Sequence, residues 1–231
     1  MNDDNDTAPR QRLPRGQGWL LRQQIIDAAM ELVARSSEAR APSARQLTRA
    51  LGITAPSLYR HFCSMNELMD AMSSTYFQQL GEAMRRATYA TPAAAERLHA
   101  MGMAYVRFAA RSPLMYQFAT TGPQHPAGES HKFVSSTAFL HLRDVVQELV
   151  DQEQFPPGDA LGTALQIWAT THGVTSLLVL SPNLPRGEQQ ESFTSRTLYA
   201  VYRGMQRCAA EQARQELPTT HERGKTRSIG R

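Results

Sequence analysis

The sequence predicts an all-α protein: an N-terminal three-helix unit containing a helix-turn-helix, then a C-terminal helical bundle, about nine helices in total. Three observations carry that prediction. Apolar residues recur at helical spacing in segment after segment, no stretch shows the alternation of a half-buried strand, and residues 43–62 hold two short helical patterns joined at Gly52.

Residues 1–16 mix Asp, Asn, Pro, Arg and Gly without periodicity and are expected to form a disordered arm. Over 19–35, Ile25, Ile26, Ala29, Leu32 and Val33 share one face of a first helix, with Arg22, Gln23, Asp27 and Glu31 between them. Ser43 can cap a second helix, with Gln46 reaching back in a capping box and Leu47 and Leu51 facing inward. Gly52 suits a left-handed helix end, Thr54 caps a third helix, and Leu58 and Phe62, four apart, turn its apolar face inward.

Ser64 and Glu67 repeat the capping pattern and open a long fourth helix through Leu68, Met72, Tyr76, Leu80 and Met84, expected to join two parts of the molecule. Further helices are expected over 93–111, from Pro113 through Phe118, and over 131–154, with a loop at 121–130. Pro156-Pro157-Gly158 ends the third of these. The last two helices, 160–180 and 192–216, are expected to be the most buried, and 217–231 reads as a disordered basic tail. The expected domains are thus 17–66 and 67–216, between the arm and the tail.

The chain has 231 residues, a formal charge of +4 and 41% hydrophobic residues, enough for a core. The charge is concentrated: 7–66 holds nine Arg against Asp27, Glu31 and Glu38, a local excess of +6. Cys63 and Cys208 have no metal-ligand spacing and fit a reducing compartment. The polar start and the lack of a long apolar run make secretion and membrane insertion unexpected, so the chain is expected to be cytoplasmic. Neither a nucleophile motif nor a Gly-rich phosphate loop occurs, so catalytic residues, bound metal and cofactor are not expected.

A helix-turn-helix places its second helix in the DNA major groove, where base edges show distinguishable donor and acceptor patterns. Thr54 and the first-turn amides can meet a phosphate, Ser57 is short enough to approach a base, and Tyr59 and His61 can donate to backbone oxygens. Arg45, on the preceding helix, can reach a guanine or a phosphate.

The run Leu51-Gly52-Ile53-Thr54-Ala55-Pro56-Ser57-Leu58-Tyr59-Arg60-His61-Phe62, followed by Ser64-Met65-Asn66-Glu67-Leu68, resembles the N-terminal domain of TetR/AcrR-type bacterial transcriptional regulators. The resemblance covers about fifty residues. It implies an all-α homodimer on a palindromic DNA operator and a C-terminal domain that binds a small effector. By the same resemblance, Arg45, Ala55, Pro56 and Ser57 fall where the family contacts bases, and Ser43, Thr54, Tyr59 and His61 where it holds phosphates. Met65 stands where the family usually has a Lys, which implies one ionic contact fewer per half-site. Trp168-Ala-Thr-Thr-His172-Gly173 is similar to a Trp-x-x-x-His-Gly pattern of one subgroup.

Met101, Tyr105, Phe108, Tyr116, Phe139, Trp168 and His172 come from four segments that could converge on a ligand. The expected effector is therefore largely apolar or aromatic, with Tyr105, Tyr116 and His172 as hydrogen-bonding partners. The dimer is expected through 160–180 and 192–216, whose Gly162, Ala164, Gly204 and Ala209 permit close packing, and Leu198→Glu is expected to break it. A repressor released by its ligand is the favoured reading. The alternative is a helical-bundle ligand carrier or enzyme whose basic N-terminal unit does not bind DNA.

Overall fold

The computed structural model describes residues 18–121, 133–181, 183–184 and 187–216. The expected arm, the tail and most of the expected loop after residue 121 lie outside the described residues. Among the described residues there are nine α-helices and no strand: α1 Gly18–Ala34, α2 Ala44–Leu51, α3 Ala55–Tyr59, α4 Met65–Thr88, α5 Ala94–Arg111, α6 Pro113–Thr121, α7 Thr137–Asp151, α8 Ala160–Leu180 and α9 Glu188–Glu216. No helix among them is long and apolar enough to cross a membrane.

The chain divides into two compact units, Met1–Tyr76 with Leu114–Pro126, and Phe77–Pro113 with Ala127–Arg231. In the first, α1 buries Ile25, Ile26, Ala29 and Val33, the stripe read from the sequence, together with Leu47, Leu58 and Phe62 from the helix-turn-helix. This unit reaches past residue 66 because the start of α4 also buries Leu68, Met72 and Tyr76. It also takes in α6, whose Met115, Tyr116 and Phe118 are buried. Burial, and secondarily the nearby Tyr116, hold the Tyr76 hydroxyl well above its ordinary pKa.

The second unit packs α5, α7, α8 and α9 with the end of α4. Two helix starts differ from expectation. The α7 helix begins at Thr137, because the Ser136 hydroxyl accepts from the Phe139 amide and fixes the N-cap there. The α9 helix begins at Glu188, a turn early, just after Gly187 at φ 60° and with Glu188 and Glu191 in its first turn. Arg97 pairs with Glu148 between α5 and α7, and Arg107 with Glu191 at 2.7 Å between α5 and α9.

Gly81 sets how closely α4 approaches α7. A Cβ there would lie 2.5 Å from Thr137 Oγ1 and 2.8 Å from the Ala138 backbone nitrogen, and backbone cannot swing aside. Gly81→Ala is expected to destabilise the second unit by about 1–3 kcal/mol despite Ala's better helix propensity, visible as a lowered Tm. An unchanged or raised Tm would show that the helices separate freely.

The expectation that α8 and α9 are the most buried helices needs correction. Each carries large apolar residues in the open: Leu161, Leu165 and Leu177 on α8, and Phe193 and Tyr199 on α9. Ala164 and Ala209, expected at a dimer contact, are instead buried in the unit's own packing, whereas Gly173 and Gly204 would meet nothing within 4 Å.

Candidate nucleic-acid interface and ligand cavity

The helix-turn-helix is built by its caps. The Ser43 hydroxyl accepts from the Gln46 amide at 3.3 Å while Gln46 Oε1 accepts from the Ser43 amide at 2.8 Å, completing the capping box. Gly52 then adopts φ 60°, ψ 35°, left-handed geometry that costs a Gly nothing and turns the chain within one residue. Thr54 opens α3 by accepting from the Ser57 amide at 3.4 Å, with Pro56 in the first turn. Leu47 and Leu58 are buried beneath.

Above them lie the residues read as DNA contacts. Ser43, Arg45, Thr54, Ala55, Pro56 and Tyr59 are exposed, and Ser57 and His61 half-buried. Tyr59 is 47% exposed, a large aromatic surface that the fold leaves in water. Arg60, which sequence reading did not single out, donates from its guanidinium to Ser57 Oγ at 3.1 Å. That contact uses a lone pair of the Ser57 hydroxyl and leaves its proton free, which suits donation to a base acceptor such as guanine N7 or O6. The i, i+3 spacing of Ser57 and Arg60 on one helix was the available signal.

The start of α4 is held to this surface by Glu67, whose amide donates to Ser64 Oγ at 3.1 Å and whose carboxylate accepts from the Cys63 amide at 2.7 Å. Arg22 of α1 stacks over the Phe62 ring at 4.5 Å and approaches Glu67 at 3.8 Å. Three helices are thereby tied where the recognition segment ends.

In the second unit a cavity of about 370 Å³ lies among α5, α7, α8, α9 and the end of α4. Its wall includes Met84, Leu98, Met101, Gly102, Tyr105, Leu142, Ile167, Trp168, Leu198 and Tyr202. The wall is apolar because the inward stripes of these amphipathic helices meet there, and its size suits a small organic molecule. A Cβ on Gly102 would strike Leu198 Cδ1 at 2.5 Å, so the missing side chain is what admits Leu198 against α5. Leu198 therefore faces the cavity, and Leu198→Glu would disturb folding or ligand binding whatever the oligomeric state.

The aromatic residues singled out from the sequence separate into three groups. Met101, Tyr105 and Trp168 line the cavity, with Trp168 edge-on to Tyr105 at 5.2 Å. Phe139 and His172 stand behind that wall: Phe139 packs edge-on against Trp168 at 5.6 Å, and His172 Nδ1 lies 3.2 Å from the Tyr105 hydroxyl. Phe133, which sequence reading did not single out and which lies just before the observed start of α7, stacks on Trp168 at 5.5 Å. Phe108 and Tyr116 do not line the cavity. Phe108 lies under the Arg111 guanidinium, and Tyr116 is fully buried in the other unit, since α6 departs from α5 directly after Pro113.

Burial pushes the His172 imidazole below its ordinary pKa, so the neutral ring is the partner of Tyr105. As pH falls, the unfolded chain takes up this proton before the folded one. Stability present above the ordinary His value of about 6.5 is then lost as pH drops below it. Melting at pH 7.5 and 5.5 should show a smaller acid loss for His172→Gln than for the parent chain. Some loss must remain, because burial lowers His141 as well. Equal losses would place the acid sensitivity elsewhere.

Comparison with known proteins bears on both sites. Residues 25–72 match the model of bacterial regulatory proteins of the tetR family, and residues 98–201 that of the tetracyclin repressor-like C-terminal domain. Similar solved structures include a protein of unknown function from Rhodococcus sp. RHA1, 23% identical over 87% of this chain and 99% of that one, at a TM-score of 0.66. The fatty acid degradation regulator FadR from Bacillus halodurans is 13% identical over 79% and 98%, at 0.65. The TetR family transcriptional regulator PfmR from Thermus thermophilus is 19% identical over 78% and 97%, at 0.57. No protein of curated function matches the chain. With its capped helix-turn-helix inside one family model and most of its cavity lining inside the other, the chain belongs to the TetR family of transcription regulators and is not an enzyme.

Proposed function

We propose that the protein is a cytoplasmic, homodimeric repressor that leaves a palindromic operator when a small, largely apolar or aromatic molecule fills the cavity of its second unit. The observation that carries the ligand reading is the cavity itself, whose aromatic wall is braced from behind by Phe133, Phe139 and His172. The DNA reading is supported by exposed Arg45 and Tyr59 over a capped turn, with Ser57 held by Arg60. The likeness of Trp168 and His172 to one subgroup of the family is in keeping with a braced wall.

The dimer reading rests on α8. Leu161, Leu165, Ala169, Gly173 and Leu177 follow one another at i, i+4 and are all exposed, forming a ridge of the kind that packs into the grooves of a second helix. Binding of such a dimer to a palindrome requires its two recognition helices to reach successive major grooves, roughly 34–36 Å apart.

The test is binding to DNA from upstream of the protein's own gene. Affinity is expected to fall by a factor of about 10³–10⁵ between 50 and 200 mM salt if six or more phosphates are held, and fall further when a cavity-filling aromatic compound is added. Salt-independent binding, or none, would favour the ligand-carrier alternative.

A further inference from the structure

We propose that the cavity selects its ligand by charge and takes lipophilic cations, with Glu96 as the counter-ion. This rests on reading the cavity as the effector site and adds the ligand's chemical class. Of the residues lining it, Glu96 is the one carboxylate, and none is Lys or Arg. Glu96 is exposed where the cavity opens to solvent and makes no hydrogen bond or ion pair among the described residues, so no protein group neutralises its charge.

The neighbouring basic groups are committed elsewhere. Arg97, next in sequence, donates to Glu148 and to the carbonyls of Thr91 and Pro92. Arg203 lies over the Tyr199 ring, 5.9 Å from its centroid, and does not line the cavity. The other polar lining groups are largely satisfied: His99 Nε2 is 2.9 Å from Ser195 Oγ, Thr171 donates to the Ile167 carbonyl, and Tyr202 donates to Gln154.

An anion entering here would sit beside a carboxylate and find no Lys or Arg in the lining to pair with. A cation meets the reverse: a free carboxylate at one end and the faces and edges of Tyr105, Trp168 and Tyr199 along its apolar body. Glu96 also lies in the first turn of α5, where an acid favours the helix. That role would make it matter to stability but not to the sign of the ligand's charge, and this difference separates the two roles.

The experiment titrates the full-length protein at pH 7.5 with three probes of nearly one shape, 1-naphthylmethylammonium, 1-naphthylmethanol and 1-naphthoate, followed by calorimetry. The expected order is ammonium tightest, alcohol intermediate and carboxylate weakest, with ammonium over carboxylate by about tenfold or more. Glu96→Gln is expected to remove most of the preference for ammonium while leaving the alcohol unchanged, and that unchanged arm reports an intact cavity. Carboxylate binding as tightly as ammonium, or a Glu96→Gln variant that keeps the preference, overturns the proposal but leaves the cavity a ligand site. If none of the three binds, the reading of the cavity as an effector site falls with it.

Discussion

Replacing Arg45 and Tyr59 together with Ala is expected to lower operator affinity about a hundredfold or more while leaving Tm unchanged. Each contact to a base or phosphate contributes about 1–3 kcal/mol, so two lost contacts multiply to that range. The fold has no stake in either side chain. Both are exposed, and neither side chain takes part in a hydrogen bond or ion pair among the described residues; the bond from Thr48 Oγ1 reaches only the backbone carbonyl of Arg45. Leu47→Ala is the contrasting control: Leu47 is 0% exposed, so its truncation removes core and should cost about 2–5 kcal/mol of stability. Fluorescence anisotropy with operator DNA, beside thermal melting, separates the two effects. A double variant that binds as tightly as the parent would mean that another surface meets DNA.

The helix-turn-helix was legible almost residue by residue because its determinants are local. Ser43 with Gln46, Gly52, and Thr54 each fix the backbone within four positions of themselves, and local rules read such signals without knowledge of the fold. The cavity was half legible. Met101, Tyr105 and Trp168 stood out as adaptable or aromatic residues on apolar faces, but Phe108 and Tyr116 satisfy the same criterion and go elsewhere. Periodicity identifies which face of a helix turns inward, not which core it joins, and α6 joins a different unit from the helix directly before it. Glu96 faces water, as a charged residue on an amphipathic helix ordinarily does, so the sequence pattern alone did not distinguish it. Only the third dimension shows it at a cavity wall. The same limit explains Leu198, which shares α9's apolar composition with exposed Tyr199 and faces Gly102 instead.

Leu177→Glu is expected to give monomers and, through that alone, to weaken operator binding by about 10²–10⁴, the loss that follows when two half-sites no longer bind as one ligand. Leu177 is 57% exposed, so in the isolated chain a Glu there sits in water and costs the fold little. In a dimer built on α8 the same carboxylate would be buried against the partner's apolar ridge without a counter-ion, a cost of several kcal/mol counted twice across the two-fold axis. The i, i+4 run through Ala169 and Gly173 strengthens the argument, because small residues at the middle of a ridge allow backbones to approach closely, and a Cβ at Gly173 meets nothing within this chain. Light scattering reads the oligomeric state, and ligand binding to the cavity serves as the control that the second unit remains folded. A Leu177→Glu protein that stays dimeric would move the contact off α8. One that becomes monomeric yet binds full operator with parental affinity would break the link between dimer and palindrome on which the repressor reading depends.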